Sequence, residues 1–224
     1  MNNKMLSLAI VAGLVSIAGA DTVSFQFGGV SQGRNAGIAE NGGGFYNVYA
    51  GSVIHNVDGV RTVTYCIDPD QWAQTATANF ERDSLEGAFS HRTDSQAKAS
   101  AVAELADIAG PSIWSESVDR DLAAAFQLAI WEIVLDYDSV LGASSLDLSE
   151  GDFMAAGTGG SSMSSSVRGY YDDLLGDMTF GQTSIAGYEA FTNSVSQDFF
   201  TQIPTPGTAV LGLFALPMIA SRRR

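Results

Sequence analysis

Two side chains of this sequence have the types and the setting to react with each other. Cys66 is the only cysteine and closes the alternating stretch "GVRTVTYCID". Gln127 sits in "AAAFQLAIWEIV", where its helical neighbours at spacings of three, four and seven are Ala123, Ala124, Ile130, Trp131 and Val134, all apolar. A carboxamide buried there without partners costs on the order of 2 kcal/mol or more. A thiol held against such an amide can attack its carbonyl, expel ammonia and leave a thioester. Proximity supplies the drive, because well-oriented intramolecular attack carries a large effective molarity, and scarce water preserves the product. An unreactive alternative stands beside this: a small buried thiol and an amide that only hydrogen-bonds to backbone.

The elements that must position the two residues are legible as periodicities. "TVSFQFGGV" alternates Val23, Phe25 and Phe27 against polar residues and predicts a strand. "NGGGFYNVYAGSVI" predicts a turn and one or two strands. "GVRTVTYCID" puts Val63, Tyr65 and Ile67 on one face and Thr62, Thr64 and Cys66 on the other, with Asp68-Pro69 as its stop. Thr93 and Gln96 have capping-box spacing ahead of Ala97, Ala101, Leu105 and Ile108, and Gly110-Pro111 ends that helix. A second helix starts after Ser117 or Asp119 and runs to about Asp136. "AAGTGGSSMSSS" reads as a flexible loop or insertion, "SVRGYYDDLLGDM" as a third helix, and "SIAGYEAFTNSVSQDFFTQI" as two closing strands. There is no internal repeat. The order predicts an α+β fold, mostly antiparallel sheet or sandwich, with a central section of two to three helices.

On these residues the sequence resembles the thioester domains of bacterial surface adhesins. Those place a cysteine after an aromatic residue and a glutamine shortly before a tryptophan; here Tyr65-Cys66-Ile67 and Gln127-Leu128-Ala129-Ile130-Trp131 stand in that order. Phe126 occupies the place where that family often carries threonine. The resemblance implies a Cys66–Gln127 cross-link shielded by Tyr65, Ile130 and Trp131. It also implies a single-turnover acyl transfer to an amine-bearing surface or matrix partner, a tether rather than an enzyme, with no cofactor.

Both ends of the chain predict export. Residues 1–20 have Lys4, an apolar run from Met5 to Ile17 and the small-residue close Ala18-Gly19-Ala20, the pattern of a cleaved signal peptide. Residues 204–224 join a Pro204-Thr205-Pro206 turn, an apolar run of marginal spanning length and Arg222-Arg223-Arg224. That tail resembles the PEP-CTERM sorting signals of exported bacterial proteins, with threonine in place of the central glutamate. It implies transient membrane association, an exosortase-type processing enzyme, and a destination at the cell envelope, the outer surface or outside the cell. The segment between the two ends, residues 21–203, is expected to be one domain. It carries 25 acidic and 7 basic residues, a net charge of −18, which repels nucleic acid and anionic lipid.

Other chemistries have weaker signals. A cysteine hydrolase needs a histidine beside Cys66, and only His55 and His91 exist. Asp68 to Gln71, Asp136 to Ser139 and Asp147 to Asp152 offer oxygen ligands for calcium without EF-hand spacing. One cysteine and two scattered histidines cannot fill a zinc site. Trp72, Trp114 and Trp131 are candidates for a carbohydrate platform.

Overall fold

The computed structural model describes residues 21–204. The expected signal peptide lies outside these residues. So do Thr205, Pro206 and Arg222 to Arg224 of the expected sorting tail, while Pro204 is exposed at the end of the described chain. Among the described residues, no helix is long and apolar enough to cross a membrane.

The fold is α+β, with four helices and a seven-stranded antiparallel sheet. Its first strand, β1 (Asp21–Glu40), is 20 residues long and organises the rest. Its beginning, Asp21 to Phe25, pairs with β4 (Ala78–Asp83), and Phe25 to Ile38 pair with β2 (Tyr46–Val57). Its end, Gly37 to Glu40, pairs with β5 (Phe153–Ala156). Asp58 and Gly59, both at positive φ, turn β2 directly into β3 (Val60–Cys66). β3 pairs with β7 (Phe199–Gln202), β7 with β6 (Tyr188–Thr192), and β6 with β4. Six strands therefore close a ring, and β5 is appended to β1.

A strand this long can serve several partners only if it bends. Its register against β2 shifts between Phe27 and Gly29 and again between Val30 and Gly33. At the second shift the backbones nearly touch: a Cβ on Gly33 would lie 2.2 Å from the Ala50 carbonyl oxygen. Only glycine permits that approach.

Two aromatic clusters fill the interior. In one, the Phe25 ring sits 4.2 Å from His55, 4.4 Å from Phe80 and 5.1 Å from Phe191, centroid to centroid. In the other, Tyr65 meets Phe126 edge-on at 4.7 Å and Trp114 at 5.7 Å. Val63 and Tyr65 on one face of β3 are buried, and so are Thr64 and Cys66 on the other.

The helices are α1 (Leu85–Ala88), α2 (Ser95–Ala109), α3 (Arg120–Asp136) and α4 (Ser165–Gly176). Helix α3 is capped by Asp119, whose carboxylate accepts from the Asp121 and Leu122 amides. It is buried continuously from Ala123 to Val134 because it packs against β1, β2 and α4 and also touches α2. At its far end the buried Lys98 ammonium of α2 donates to the Ile133 and Val134 carbonyls at 3.2 and 2.9 Å. Helix α2 stops at Gly110 (φ 74°) before Pro111, as the sequence predicts.

Two local expectations are corrected. The Thr93–Gln96 capping box is not formed: the cap of α2 is Asp94, at φ 56° and without a side-chain cap bond. The Asp94 carboxylate instead accepts from the backbone and hydroxyl of Ser139. The Gly/Ser-rich stretch 155–166 is not a free loop. It begins in β5 and folds back through a Gly157–Ser161 bridge. Strand β4 and the single turn α1 carry too little periodicity to be read from the sequence.

Glu132 on α3 is fully buried, and neither carboxylate oxygen has a hydrogen-bond partner. Burial first, then the nearby Asp136 and Asp147 charges, push its pKa up to about 8; the approach of the Asp147 backbone amide and the Arg168 charge oppose them. The folded pKa exceeds the unfolded value, so this group's stabilising contribution is complete below about pH 4.5. It is lost as pH rises through about 8. Glu132→Gln is therefore expected to flatten the fall of unfolding free energy between pH 4.5 and 8 by a few kcal/mol, measured by urea denaturation across that range.

Candidate functional site

The ladder between β2 and β3 ends at the Val53–Thr64 pair. Two residues further along β3, the N–H and C=O of Cys66 point toward the edge that β2 has left. The Gln127 side chain takes the place of the missing strand. Its Oε1 accepts from the Cys66 amide at 3.0 Å, and its Nε2 donates to the Cys66 carbonyl at 2.8 Å. On the opposite edge β3 continues against β7, where the Ile67 amide donates to the Asp198 carbonyl. The amide that stood out among apolar neighbours is thus doubly paired, at 1% exposure.

The sulfur lies in the same place. Trp131, one helical turn after Gln127, donates its indole N–H to Cys66 Sγ at 3.3 Å, and the thiol donates to the Asp68 carbonyl at 3.3 Å. Burial pushes the thiol pKa well up; the Trp131 N–H opposes this, while the Asp68 and Asp198 charges add to it. The resting group is a neutral thiol, and the indole is placed to stabilise a thiolate when one forms. Spacing on α3 accounts for the arrangement: residues four apart share a helix face, so one face delivers both the amide and the indole to Cys66.

The divergence of β2 from β3 also leaves a cavity of about 470 Å³, lined by Cys66, Gln127 and Trp131 together with residues of β1, β2 and the segment from Pro69 to Thr75. Asp68 shapes that segment: its carboxylate accepts from the Asp70 amide and the Gln71 side chain, with Arg92 3.6 Å away. Trp72 stands at the cavity, 73% exposed, beside Tyr46 with ring centroids 5.9 Å apart.

The three shielding residues expected from the resemblance part company. Trp131 contacts the sulfur and lines the cavity. Tyr65 packs in the Trp114–Phe126 cluster with its hydroxyl on the Ile113 carbonyl, and Ile130 is buried in the core without lining the cavity. Phe126, one residue before Gln127, is a core aromatic against Tyr65.

Neither histidine is placed to serve the Cys66 thiol as a base. His55 is buried, its Nδ1 bonded to Thr64 Oγ1, and burial lowers its pKa to about 3, so it stays neutral. His91 is exposed, and neither histidine hydrogen-bonds to Cys66. Among the described residues no group of three or more His, Cys, Asp or Glu could hold a metal ion. Of the acids considered for calcium, Asp136 accepts from the Asp152 and Phe153 amides, Asp147 from the Ser149 amide, and Asp68 from the Asp70 amide. The three tryptophans form no common platform: Trp114 packs with Tyr65 and Phe200 away from the cavity, and of the two at the cavity Trp72 is exposed while Trp131 is buried. The cavity residues of β1 and β2 carry no motif that marks them in the sequence.

Gln127→Ala removes both bonds to Cys66 and orphans a buried N–H and C=O. An unfolding free energy lower by at least about 2 kcal/mol is expected, measured by chemical denaturation beside the exposed control Thr22→Ala.

No protein-family model, no curated protein and no solved structure matches this chain.

Proposed function

We propose that this is an exported surface or extracellular protein whose Cys66 and Gln127 form an internal thioester for covalent attachment to amine-bearing partners. One observation carries the reading: the Gln127 carboxamide is clasped to Cys66 by two hydrogen bonds, at a sulfur that accepts an indole N–H, beside a cavity. In the first step Sγ attacks the Gln127 carbonyl carbon, the Cδ–Nε2 bond breaks, and ammonia leaves with the thiol proton. In the second, an amine attacks the same carbon, the Sγ–Cδ bond breaks, and an amide forms. The amine's proton ends on Sγ. Burial of the pair would limit hydrolysis of the acyl group, and the two bonds that bring the Gln127 amide to the Cys66 backbone favour the proximity that the first step requires. The terminal segments, by their resemblance to signal and sorting sequences, would bring the domain to the envelope, with an exosortase-type enzyme acting on the tail.

A second reading draws on the same two bonds. An amide satisfied at both ends stabilises the end of β3 without reacting, which would make this an inert structural protein of the envelope or matrix. Intact mass decides between them. The thioester predicts that the purified protein is lighter than its sequence by one ammonia, that Cys66→Ala and Gln127→Ala each restore the full mass, and that methylamine adds its own mass to the wild type alone. A wild type at full mass with an alkylatable Cys66 would sink the proposal.

A further inference from the structure

One wall of the cavity belongs to a single face of the sheet. Ile38 of β1 stands opposite Tyr46 of β2, and Glu40 and Val48 each lie two residues further along their strands, so all four share one side. All four line the cavity. Glu40 Oε2 accepts from the Tyr46 hydroxyl at 2.7 Å, and its Oε1 is buried without a partner. Trp72 stands against the same Tyr46 ring, with most of its own surface open to solvent. One tyrosine thus joins an unused acceptor, two aliphatic side chains and an exposed indole. The segment bearing the indole is fixed on both sides. The Trp72 carbonyl accepts from the Gln197 amide, and Gln74 bonds to the Val195 carbonyl and the Ser196 hydroxyl. Before it, the Asp68 carboxylate holds the Asp70 amide and the Gln71 side chain.

We propose that this patch is a binding subsite for a β-linked N-acetylhexosamine chain, with a pyranose face on Trp72 and an acetamido group against Ile38 and Val48 donating its N–H to Glu40. The ligand class follows from the wall. The C–H groups on the face of an all-equatorial pyranose carry partial positive charge and suit the negative face of an exposed indole. A buried carboxylate oxygen without a partner beside aliphatic side chains calls for a donor whose other end is apolar. An acetamide supplies an N–H and a methyl together. A plain hexose brings a hydroxyl to the same aliphatic wall and loses its hydration there. Acidic sugars are disfavoured, because the Asp70 and Asp68 charges lie near Glu40 and Arg92 alone opposes them. The cavity, about 470 Å³, has the usual size of a small-molecule site. Cys66 and Gln127 line it too, but the subsite does not depend on their reacting. It would give the protein recognition of a glycan, separate from covalent attachment to an amine.

Isothermal titration calorimetry tests the subsite with three sugars. Tri-N-acetylchitotriose is the probe, cellotriose lacks the acetamido groups, and the deacetylated trimer carries charged amines instead. The titrations are run on the wild type and on Cys66→Ala, so that covalent capture of an amine is not read as binding and failure of the thioester leaves the result intact. Saturable binding of the acetylated trimer is expected in both proteins, with the other two sugars weaker by about tenfold or more. Trp72→Ala, at an exposed position, is expected to weaken binding about tenfold or more with an unchanged urea-unfolding midpoint, and Trp72→Phe to restore part of it. Glu40→Gln leaves one oxygen for two donors and is expected to erase the preference for the acetylated trimer over cellotriose. No binding of the acetylated trimer, equal binding of cellotriose or of the deacetylated trimer, or no effect of Trp72→Ala overturns the proposal. A preference that survives Glu40→Gln removes the acetamide contact and overturns it as well.

Discussion

The pairing of the Gln127 amide with the backbone of Cys66 is the constraint on which the site depends. A strand that outruns its neighbour exposes one N–H and one C=O for every two residues, and a buried pair of such groups must be satisfied. Here β2 leaves β3 after Val53, and the carboxamide of a helical side chain completes the ladder. The substitution ties α3 to the sheet at one point and fixes the rotation of that helix. The rotation then puts Trp131 on the sulfur and leaves Phe126 against Tyr65. Moving the helix by one residue would break all three contacts together.

The departure of β2 has a second consequence. It follows from the long, twice-shifted β1, whose Gly33 lets β2 approach closely at Ala50 and Gly51 before Tyr49 and Tyr46 continue along the cavity wall. The opening beside Cys66 is thus a product of sheet geometry. Asp68, tied to Gln71 and the Asp70 amide, then holds the segment bearing Trp72 across one side of it.

Polar groups in the interior divide into two kinds. Lys98, Asp136 and Gln127 are buried or partly buried and spend their hydrogen bonds on backbone that would otherwise be unpaired. Glu40 Oε1, Tyr49 OH and both oxygens of Glu132 have no such use. The first kind defines where helices end and strands attach. The second marks places where the fold carries an unmet demand, and two of its members share the cavity of Cys66.

Much was determined by the sequence alone, wherever the cause is local. Asp119 and Gly110-Pro111 mark helix ends because caps and stops act within one turn, and α4, β6 and β7 follow from short-range periodicity. The oddity of Gln127 was also legible, since an amide inside an apolar helix demands a partner, and so was its association with a lone cysteine. Only the tertiary structure decided the rest. Closure of the sheet into a ring, the three partners of β1 and the docking of Phe153 to Ala156 depend on pairings far apart in sequence, which no local pattern encodes. The displaced cap at Asp94 is set by Ser139, 45 residues away. The opening beside Cys66 and Gln127 arises because β2 parts from β3 at Val53, and that divergence is a property of the packed sheet rather than of any one segment.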